Sequence, residues 1–281
     1  NGHVEVVRLL LSKSDIDINQ AMPKGTTALY IASSANHVDV VQLLLSENGI
    51  DINKATFGLT ELHRAAKAGN ARIVQLFLST FGIDVNKADS LGFTPLISAS
   101  QEGHVEVVRQ LVSHSDIDIN QGIHGSQLNA LHTAATCGHA EVVSHLLSTD
   151  TIDVNAVIIG EHFNGATSLI LATYIGHSEI VNVLLQHPEI NTAASSEGKT
   201  AVQWAQASAL HAKWGTVEDT EDINMDGRRA IRGMFDRFSA AAGEMKTSDG
   251  SERSRVASKG KKKKSKKKGK KKKRNKKGRY M

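Results

Sequence analysis

Three oxygen-bearing side chains in the C-terminal quarter of the chain alternate as they do in a calcium-binding loop. Asp222, Asn224 and Asp226 are each separated by one residue, and Gly227 follows them. The twelfth position of such a loop supplies a bidentate glutamate, but here it is Gly233, and the eighth position is Arg229. The sequence therefore predicts no calcium site.

Histidine and cysteine are the other residues whose chemistry needs an explanation. Cys137, His139 and His145 do not share one helix face in a metal-ligand geometry, and no Ser/His/Asp or Cys/His arrangement stands apart from the repeating pattern described below. We predict no catalytic centre, no metal site, no cofactor and no enzymatic activity. Because Cys137 is the single cysteine, no internal disulfide can form, which suits a reducing compartment. Five of the thirteen histidines occupy one recurring position, namely His3, His37, His104, His139 and His177.

The C-terminal segment is dominated by lysine. Residues 251–281 contain 18 of the 34 Lys and Arg residues and one acid, Glu252, so their net charge is +17, whereas the other 16 bases and 28 acids give the rest of the chain −12. With nothing apolar to bury and with like charges repelling, we predict that this tail is disordered. The predicted contact residues for nucleic acid or for an import receptor are Lys261, Lys262, Lys263, Lys264, Lys266, Lys267, Lys268, Lys270, Lys271, Lys272, Lys273 and Arg274.

Several functions are open to such a tail. Lysine runs bind RNA or DNA phosphates through counterion release without reading sequence, and they also serve as import signals. We therefore expect an intracellular protein, in the nucleus or nucleolus rather than the cytoplasm. The first aromatic residue of the segment is Tyr280, so a base-stacking platform is absent. The alternative is a solubilising tail, or one that folds back on the acidic part of the chain.

Upstream of the tail, one pattern recurs with a period of about 33 residues, which indicates a stack of helix-pair units. Each unit has a Thr or Asn that can cap a first helix, a short helix rich in small residues, a turn, a second helix with apolar residues at helical spacing, and an extended segment. The successive spacings are 34, 33, 34, 35, 36 and 33 residues. They separate the closing asparagines Asn19, Asn53, Asn86, Asn120, Asn155, Asn191 and Asn224.

Two segments carry a family resemblance: Gly92-Phe93-Thr94-Pro95-Leu96 and Gly103-His104-Val105-Glu106-Val107-Val108. The chain resembles the ankyrin repeat family over roughly residues 1 to 224. The resemblance implies an all-α solenoid of helix-turn-helix repeats with short hairpin fingers. The family's Thr-Pro-Leu-His tetrad keeps its histidine only at His63 and His132, so we expect the hydrogen bonds of that histidine at two repeats and aliphatic stacking elsewhere. The other repeats have Tyr30, Ile97, Ile170 and Gln203 there.

The repeat pattern divides the chain into five parts. Residues 1–19 form a partial first repeat, because Asn1-Gly2-His3 aligns with the turn between helices, and we expect a fragment whose first helix frays. Residues 20–191 form five full repeats and residues 192–224 a degenerate repeat. We expect a capping helix over 225–242 and the lysine tail over 243–281. No apolar run is as long as a membrane-spanning helix requires. We expect the protein to be a monomer.

The resemblance also implies a binding site for an unidentified protein partner on the concave face formed by the finger tips and the first helices. The chain is expected to act as an interaction scaffold. Alternatives are a nucleic-acid-associated factor that works through its tail, and the substrate-selecting part of a larger enzyme. Exposed apolar surface generally marks interaction sites, although these side chains could instead pack finger against finger. The predicted partner-binding residues are Phe57, Leu59, Leu91, Phe93, Leu128, Ile159, Phe163, Tyr174 and Ile175.

Overall fold

The computed structural model describes residues 2–23, 25–56, 58–161, 163–206, 230–232, 234 and 235. The chain divides into two compact units, Asn1–Arg232 and Gly233–Met281. Of the second unit, the structure describes only the helical residues Met234 and Phe235. The predicted tail therefore lies outside the described residues.

The described part of the first unit is a stack of helix pairs, and the predicted all-α repeat fold is confirmed. Each pair has a first helix that packs on its own second helix and on the first helices of neighbouring pairs. The stack begins with an unpaired second helix, α1 (Val4–Leu11). The pairs are α2 (Ala28–Ser34) with α3 (Val38–Leu45), α4 (Glu61–Lys67) with α5 (Ala71–Leu78), α6 (Pro95–Glu102) with α7 (Val105–Val112), α8 (Ala130–Cys137) with α9 (Ala140–Leu147), and α10 (Ser168–Ile175) with α11 (Ser178–Leu185).

After the fifth pair the chain forms a two-stranded hairpin and one more helix. Strand β1 (Ser195–Ser196) is antiparallel to β2 (Lys199–Thr200), with Ser195 opposite Thr200. Helix α12 (Ala201–Gln206) follows, and residues 207–229 lie outside the described residues. Residues 230–232 are helical, and the Arg232 guanidinium lies 3.4 Å from the Ala205 carbonyl oxygen. Met234 and Phe235 are the other described residues of the predicted capping helix.

The first helices begin where the sequence predicts, because a side-chain oxygen satisfies a free backbone amide at each start. In every full repeat the capping side chain accepts from the amide three residues later. These caps are Thr27, Thr60, Thr94, Asn129 and Thr167. Local sequence therefore fixes the start of each first helix.

The core consists mainly of small and aliphatic side chains, with a few aromatic ones such as Phe77. In α3 the buried residues are Val40, Val41 and Leu44, and the corresponding positions of α5 hold Ile73, Val74 and Phe77. Helix α1 has the same pattern but no buried residue, and Leu9 is 68% exposed. The contrast shows that a second helix is buried only where a first helix covers it.

The connections between pairs are hairpin-like, and we call them fingers. They comprise residues 20–26, 54–59, 87–93, 121–128, 156–166 and 192–200, and backbone hydrogen bonds close them, as between Asp89 N and Phe93 O at 2.8 Å. Residues of two fingers and of two first helices line one groove together. This arrangement exposes short loops beside the first-helix surface, the two elements from which the candidate site is built.

Adjacent repeats are joined by one asparagine each. The Asn86 side chain donates to the Asp116 carbonyl at 2.6 Å and accepts from the Asp118 amide at 2.8 Å. Each bridge thus satisfies one backbone donor and one backbone acceptor of the next repeat. Equivalent pairs of bonds are made by Asn19, Asn53, Asn120 and Asn155.

The turn histidines form a second set of bonds between repeats. The His139 ring donates from Nε2 to the Gln101 carbonyl at 2.8 Å, and its ring lies against Gly103 of the preceding turn. A Cβ at Gly103 would approach the ring to 2.6 Å, and the φ of this residue is 76°. Only glycine meets both requirements without strain. His104 and His177 make the same bond, to Lys67 and Thr136.

The tetrad histidines behave as predicted. His63 lies 3.0 Å from the Phe93 carbonyl oxygen, and His132 lies 2.9 Å from that of Ala156. A carbonyl only accepts, so Nε2 carries the proton in both rings. Both are buried, and burial holds the pKa of His132 at about 4 and that of His63 below its usual range. The two rings are therefore neutral structural donors.

Replacing Asn86 by alanine should destabilise the array. The change removes two hydrogen bonds to the next repeat, so the free energy of unfolding in urea should fall by about 1 to 3 kcal/mol. The matched control is Asn182→Ala, which alters an exposed residue of helix α11 and should leave stability within a few tenths of a kcal/mol. Equal urea midpoints for the two variants would contradict the bridging role.

Candidate protein-binding face

A half-open groove of about 690 Å³ lies between the second and third fingers and the first helices α4 and α6. We call it the central groove. It brings together three of the predicted partner-binding residues and several that the sequence did not single out. Its lining residues are Leu59, His63, Arg64, Lys67, Ala68, Asp89, Ser90, Leu91, Phe93, Ser98 and Gln101.

One wall of the central groove is apolar and is held in place by Asp89. One oxygen of the Asp89 carboxylate accepts from the amides of Leu91 and Phe93, at 2.8 and 2.9 Å. The tip of the third finger is thereby fixed, with Leu91 73% exposed and Phe93 half-buried. Leu59, from the second finger, is also half-buried. The wall therefore presents apolar side chains on loops that are already ordered.

Helix α4 contributes basic side chains to the central groove. Arg64 and Lys67 are one turn apart on this helix. The Arg64 guanidinium lies 4.6 Å from the centre of the Tyr30 ring and donates to the Thr56 carbonyl oxygen. Such a cation–π contact holds the guanidinium in place. Lys67 is exposed. This part of the groove is positively charged.

Glu61 is the most unusual titratable group near the groove. It is the first residue of α4, is only 3% exposed, and has neither carboxylate oxygen hydrogen-bonded within the described part of the chain. Burial raises its pKa to about 7, although Arg64 Nε lies 3.7 Å from one carboxylate oxygen and acts in the opposite direction. Desolvation outweighs this ion pair because the separation exceeds hydrogen-bond distance.

Other predicted partner-binding residues lie away from the central groove. Phe57 lies outside the described residues. Leu128 and Ile175 are half-buried, whereas Ile159 is 53% exposed at the long fifth finger. The Ile159 amide donates to the Ser126 carbonyl at 2.7 Å, which joins the fourth and fifth fingers. The predicted set therefore spreads over several fingers rather than forming one site.

Phe163 and Tyr174 belong to an aromatic cluster. Their ring centres are 4.8 Å apart, and those of Tyr174 and Trp204 are 5.3 Å apart, both with edge-to-face geometry. The Lys199 ammonium lies 4.3 Å from the centre of the Trp204 ring. Phe163 has a φ of 55°, which is strained for a bulky residue, and its amide donates to the Glu197 carboxylate at 3.2 Å. These contacts connect the fifth finger and α10 to the β1–β2 hairpin and to helix α12.

Four functional features were missed by reasoning from the sequence. The basic pair Arg64 and Lys67 could have been noticed, because the corresponding positions of the next two repeats hold Ser98 with Gln101 and Thr133 with Thr136. Burial of Glu61, the contact of Trp204 with Tyr174, and full exposure of Phe81 had no local signal. Each depends on which neighbour covers the residue.

The structure bears on the other chemical candidates only in part. Asp222, Asn224 and Asp226, and the lysines of the tail, lie outside the described residues. Among those that are described, no three His, Cys, Asp or Glu residues are grouped so as to hold a metal ion. Cys137 is an exposed free thiol at the end of α8. No described helix combines the length and apolar character that crossing a bilayer requires.

Comparison with known families agrees with the repeat geometry. A model of ankyrin repeats in three copies matches residues 1–56, 62–158 and 131–213, and a model of many copies matches residues 36–78. The chain belongs to the ankyrin repeat family. Ankyrin repeats are in general scaffolds for protein–protein interaction and are typically not enzymes. The predicted family and fold class are thus confirmed.

Several solved ankyrin repeat structures are similar to this chain. EF0377, an ankyrin repeat protein, has a TM-score of 0.60 at 21% identity, covering 76% of this chain and 98% of its own. An ankyrin repeat domain from Acinetobacter baumannii AYE has a TM-score of 0.57 at 26% identity, covering 65% and 91%. The ankyrin repeat domain of Bcl-3, a member of the IkappaB family, has a TM-score of 0.59 at 26% identity, covering 65% and 80%. No curated protein sequence matches the chain.

Replacing Glu61 by glutamine should flatten the dependence of folding stability on pH. The pKa of Glu61 rises from 4.5 to about 7 on folding, so the folded state holds this proton more tightly. The tighter binding of this proton stabilises the folded state fully below pH 4.5, and the stabilisation is lost as the pH rises through 7. Between pH 4.5 and 8, the wild type should therefore lose on the order of 2 to 3 kcal/mol relative to Glu61→Gln.

The measurement is the free energy of unfolding in urea at several pH values. Glu106→Gln is the matched control, because Glu106 pairs with Arg109 at the same helical spacing, at 3.2 Å, but on an exposed surface. The free energy of unfolding of Glu106→Gln should change with pH as that of the wild type does. If the free energy of unfolding of Glu61→Gln had the same pH dependence as that of the wild type, the pKa of the Glu61 carboxyl would not be raised in the folded protein.

Proposed function

We propose that this ankyrin repeat protein is an interaction scaffold that binds a protein partner on its concave face, with the central groove as the main contact. The observation that carries the proposal is the exposure of Leu91 on a finger whose backbone is already fixed by Asp89. An exposed leucine on an ordered tip loses little conformational freedom on binding. It therefore serves as an anchor rather than as part of the core.

The other predicted contact residues divide into two kinds under this proposal. Phe93 and Leu59 line the same groove as Leu91 and act with it. Phe163 and Tyr174 contact each other and Trp204, so replacing them is expected to affect the stability of the array as well as any binding. Hot spots cluster at the centre of an interface, which favours the groove over the C-terminal fingers as the place to test first.

The test is capture of binding proteins from cell extract by the full chain and its variants. Phe93→Ala should lose the captured partner, because truncation of an aromatic anchor costs about 1 to 2 kcal/mol or more of binding, while its melting temperature changes little. The matched control is Phe81→Ala, since Phe81 is fully exposed in the connection after α5 and is not a groove residue. Loss of capture with Phe81→Ala but not with Phe93→Ala would refute the groove assignment.

A second function is proposed for the lysine tail: nuclear or nucleolar targeting, with nonspecific contact to RNA or DNA. Its support is the charge of +17 over residues 251–281. A dense row of lysines releases counterions on binding phosphates, and import receptors read the same kind of segment. In this proposal the array selects the partner and the tail determines where in the cell they meet.

The tail is tested by fusing residues 246–281 to a cytoplasmic fluorescent protein. The fusion should move to the nucleus and should bind RNA, with log K falling against log salt at a slope of about −9 if roughly ten phosphates are neutralised. A fusion in which the lysines between positions 261 and 273 are replaced by glutamine is the control and should stay cytoplasmic. A lysine-containing fusion that stays in the cytoplasm and binds RNA independently of salt would contradict both roles.

A further inference from the structure

The central groove is lined by apolar side chains of two fingers and by basic side chains of α4. We propose that it receives an extended peptide segment in which acidic and apolar residues alternate, a proposal that rests on the protein-binding function above. An apolar side chain of the segment enters beside Leu91 and Phe93, and a neighbouring Asp or Glu carboxylate meets Lys67. The partner is thus recognised by the spacing of two kinds of side chain.

The charged groups of the groove are not equally available. Asp89 already accepts from the amides of Leu91 and Phe93. Arg64 is held by Tyr30 and Thr56. Lys67 is exposed, and within the described part of the chain its ammonium has no hydrogen bond or ion pair. The Lys67 ammonium is therefore available to bind a ligand, whereas the Asp89 carboxylate already holds the backbone of the third finger.

Positive charge on the first helices is concentrated at the groove. The two positions taken by Arg64 and Lys67 in α4 hold uncharged residues in the other full repeats, such as Ser98 with Gln101 and Leu171 with Tyr174. Residues 1–250, which precede the lysine tail, carry a net charge of −12. An acidic peptide is therefore repelled by most of the array and attracted at this one place, which is how charge confers specificity more than affinity.

The shape of the groove favours a short extended segment over a folded surface. Its volume of about 690 Å³ falls in the range of roughly 300–1,000 Å³ that encloses a drug-sized ligand. Successive side chains of an extended peptide point in opposite directions. One set can therefore reach the apolar wall of Leu59, Leu91 and Phe93 while the other faces the α4 side.

Fluorescence anisotropy with synthetic peptides tests the proposal on the full chain. The probe is a fluorescein-labelled peptide of alternating Asp and Leu, and its partner probe has Asn in place of every Asp. Because the lysine tail also attracts acidic peptides, the readout is the difference between matched variants. Lys67→Glu is compared with Lys13→Glu, which makes the same charge change at an exposed residue outside the groove. Leu91→Ser is compared with Phe81→Ser.

The proposal predicts a selective loss of affinity. Lys67→Glu should weaken binding of the Asp/Leu peptide by about tenfold or more, because reversing a charge turns attraction into repulsion at contact distance. Lys13→Glu should change it less than about twofold, since exposed charges further away are screened. Leu91→Ser should weaken both peptides, and Phe81→Ser neither. Circular dichroism melting of each variant checks that the array remains folded.

The remaining outcomes separate this proposal from the protein-binding function. Equal effects of Lys67→Glu and Lys13→Glu would mean that the tail holds the peptide, which overturns the proposal. Equal binding of the Asp and Asn peptides, both sensitive to Leu91→Ser, would overturn the acidic preference while the groove remained a protein-binding site. If neither peptide bound but Phe93→Ala still abolished capture, the scaffold function would stand and the peptide chemistry would be wrong.

Discussion

The asparagine that closes each repeat is the interaction on which the rest of the array depends. It links two repeats by donating to one backbone carbonyl and accepting from one backbone amide, as Asn120 does with Thr151 and Asp153. These peptide groups belong to extended segments that have no neighbouring strand, and the asparagine side chain bonds them across the repeat boundary. Since each bond reaches only the next repeat, order passes from neighbour to neighbour and stability becomes a sum of repeat and interface contributions.

The exposed side chains of the fingers and first helices that take no part in contacts between repeats are free to vary in sequence. The asparagines, the turn histidines and both sets of helices provide contacts between units, whereas the exposed side chains of Leu91 and Lys67 take no part in these bonds. Arg64 and Lys67 occur where the other repeats have polar or apolar residues. The fifth finger is longer than its neighbours and still closes through the Ile158–Ala166 hydrogen bond. Binding residues can therefore change without loss of the fold.

The sequence predicts the fold well because its determinants are local. Each determinant can be identified within one repeat. The determinants are a threonine that caps the first helix, a glycine with left-handed backbone at a turn, and an apolar pair on the second helix. The groove was predicted only in part, since Leu59, Leu91 and Phe93 were chosen one by one as exposed apolar tips. Burial of Glu61 could not be predicted: an acid at the start of a helix is ordinarily a solvated partner of the helix dipole. Here neighbouring side chains exclude water from it.

The replacement of the tetrad histidine by Tyr30 changes the contact between the first two full repeats. Where the histidine is present, as at His63, its ring bonds the next finger directly. Tyr30 instead offers the face of its ring, and Arg64 of the next repeat lies over it while donating to Thr56. The interface between the first two full repeats therefore keeps a side-chain contact at this position, made by a cation of α4. Arg64 and the exposed Lys67 lie one turn apart on that helix, so the structural cation and the available cation of the central groove come from the same element.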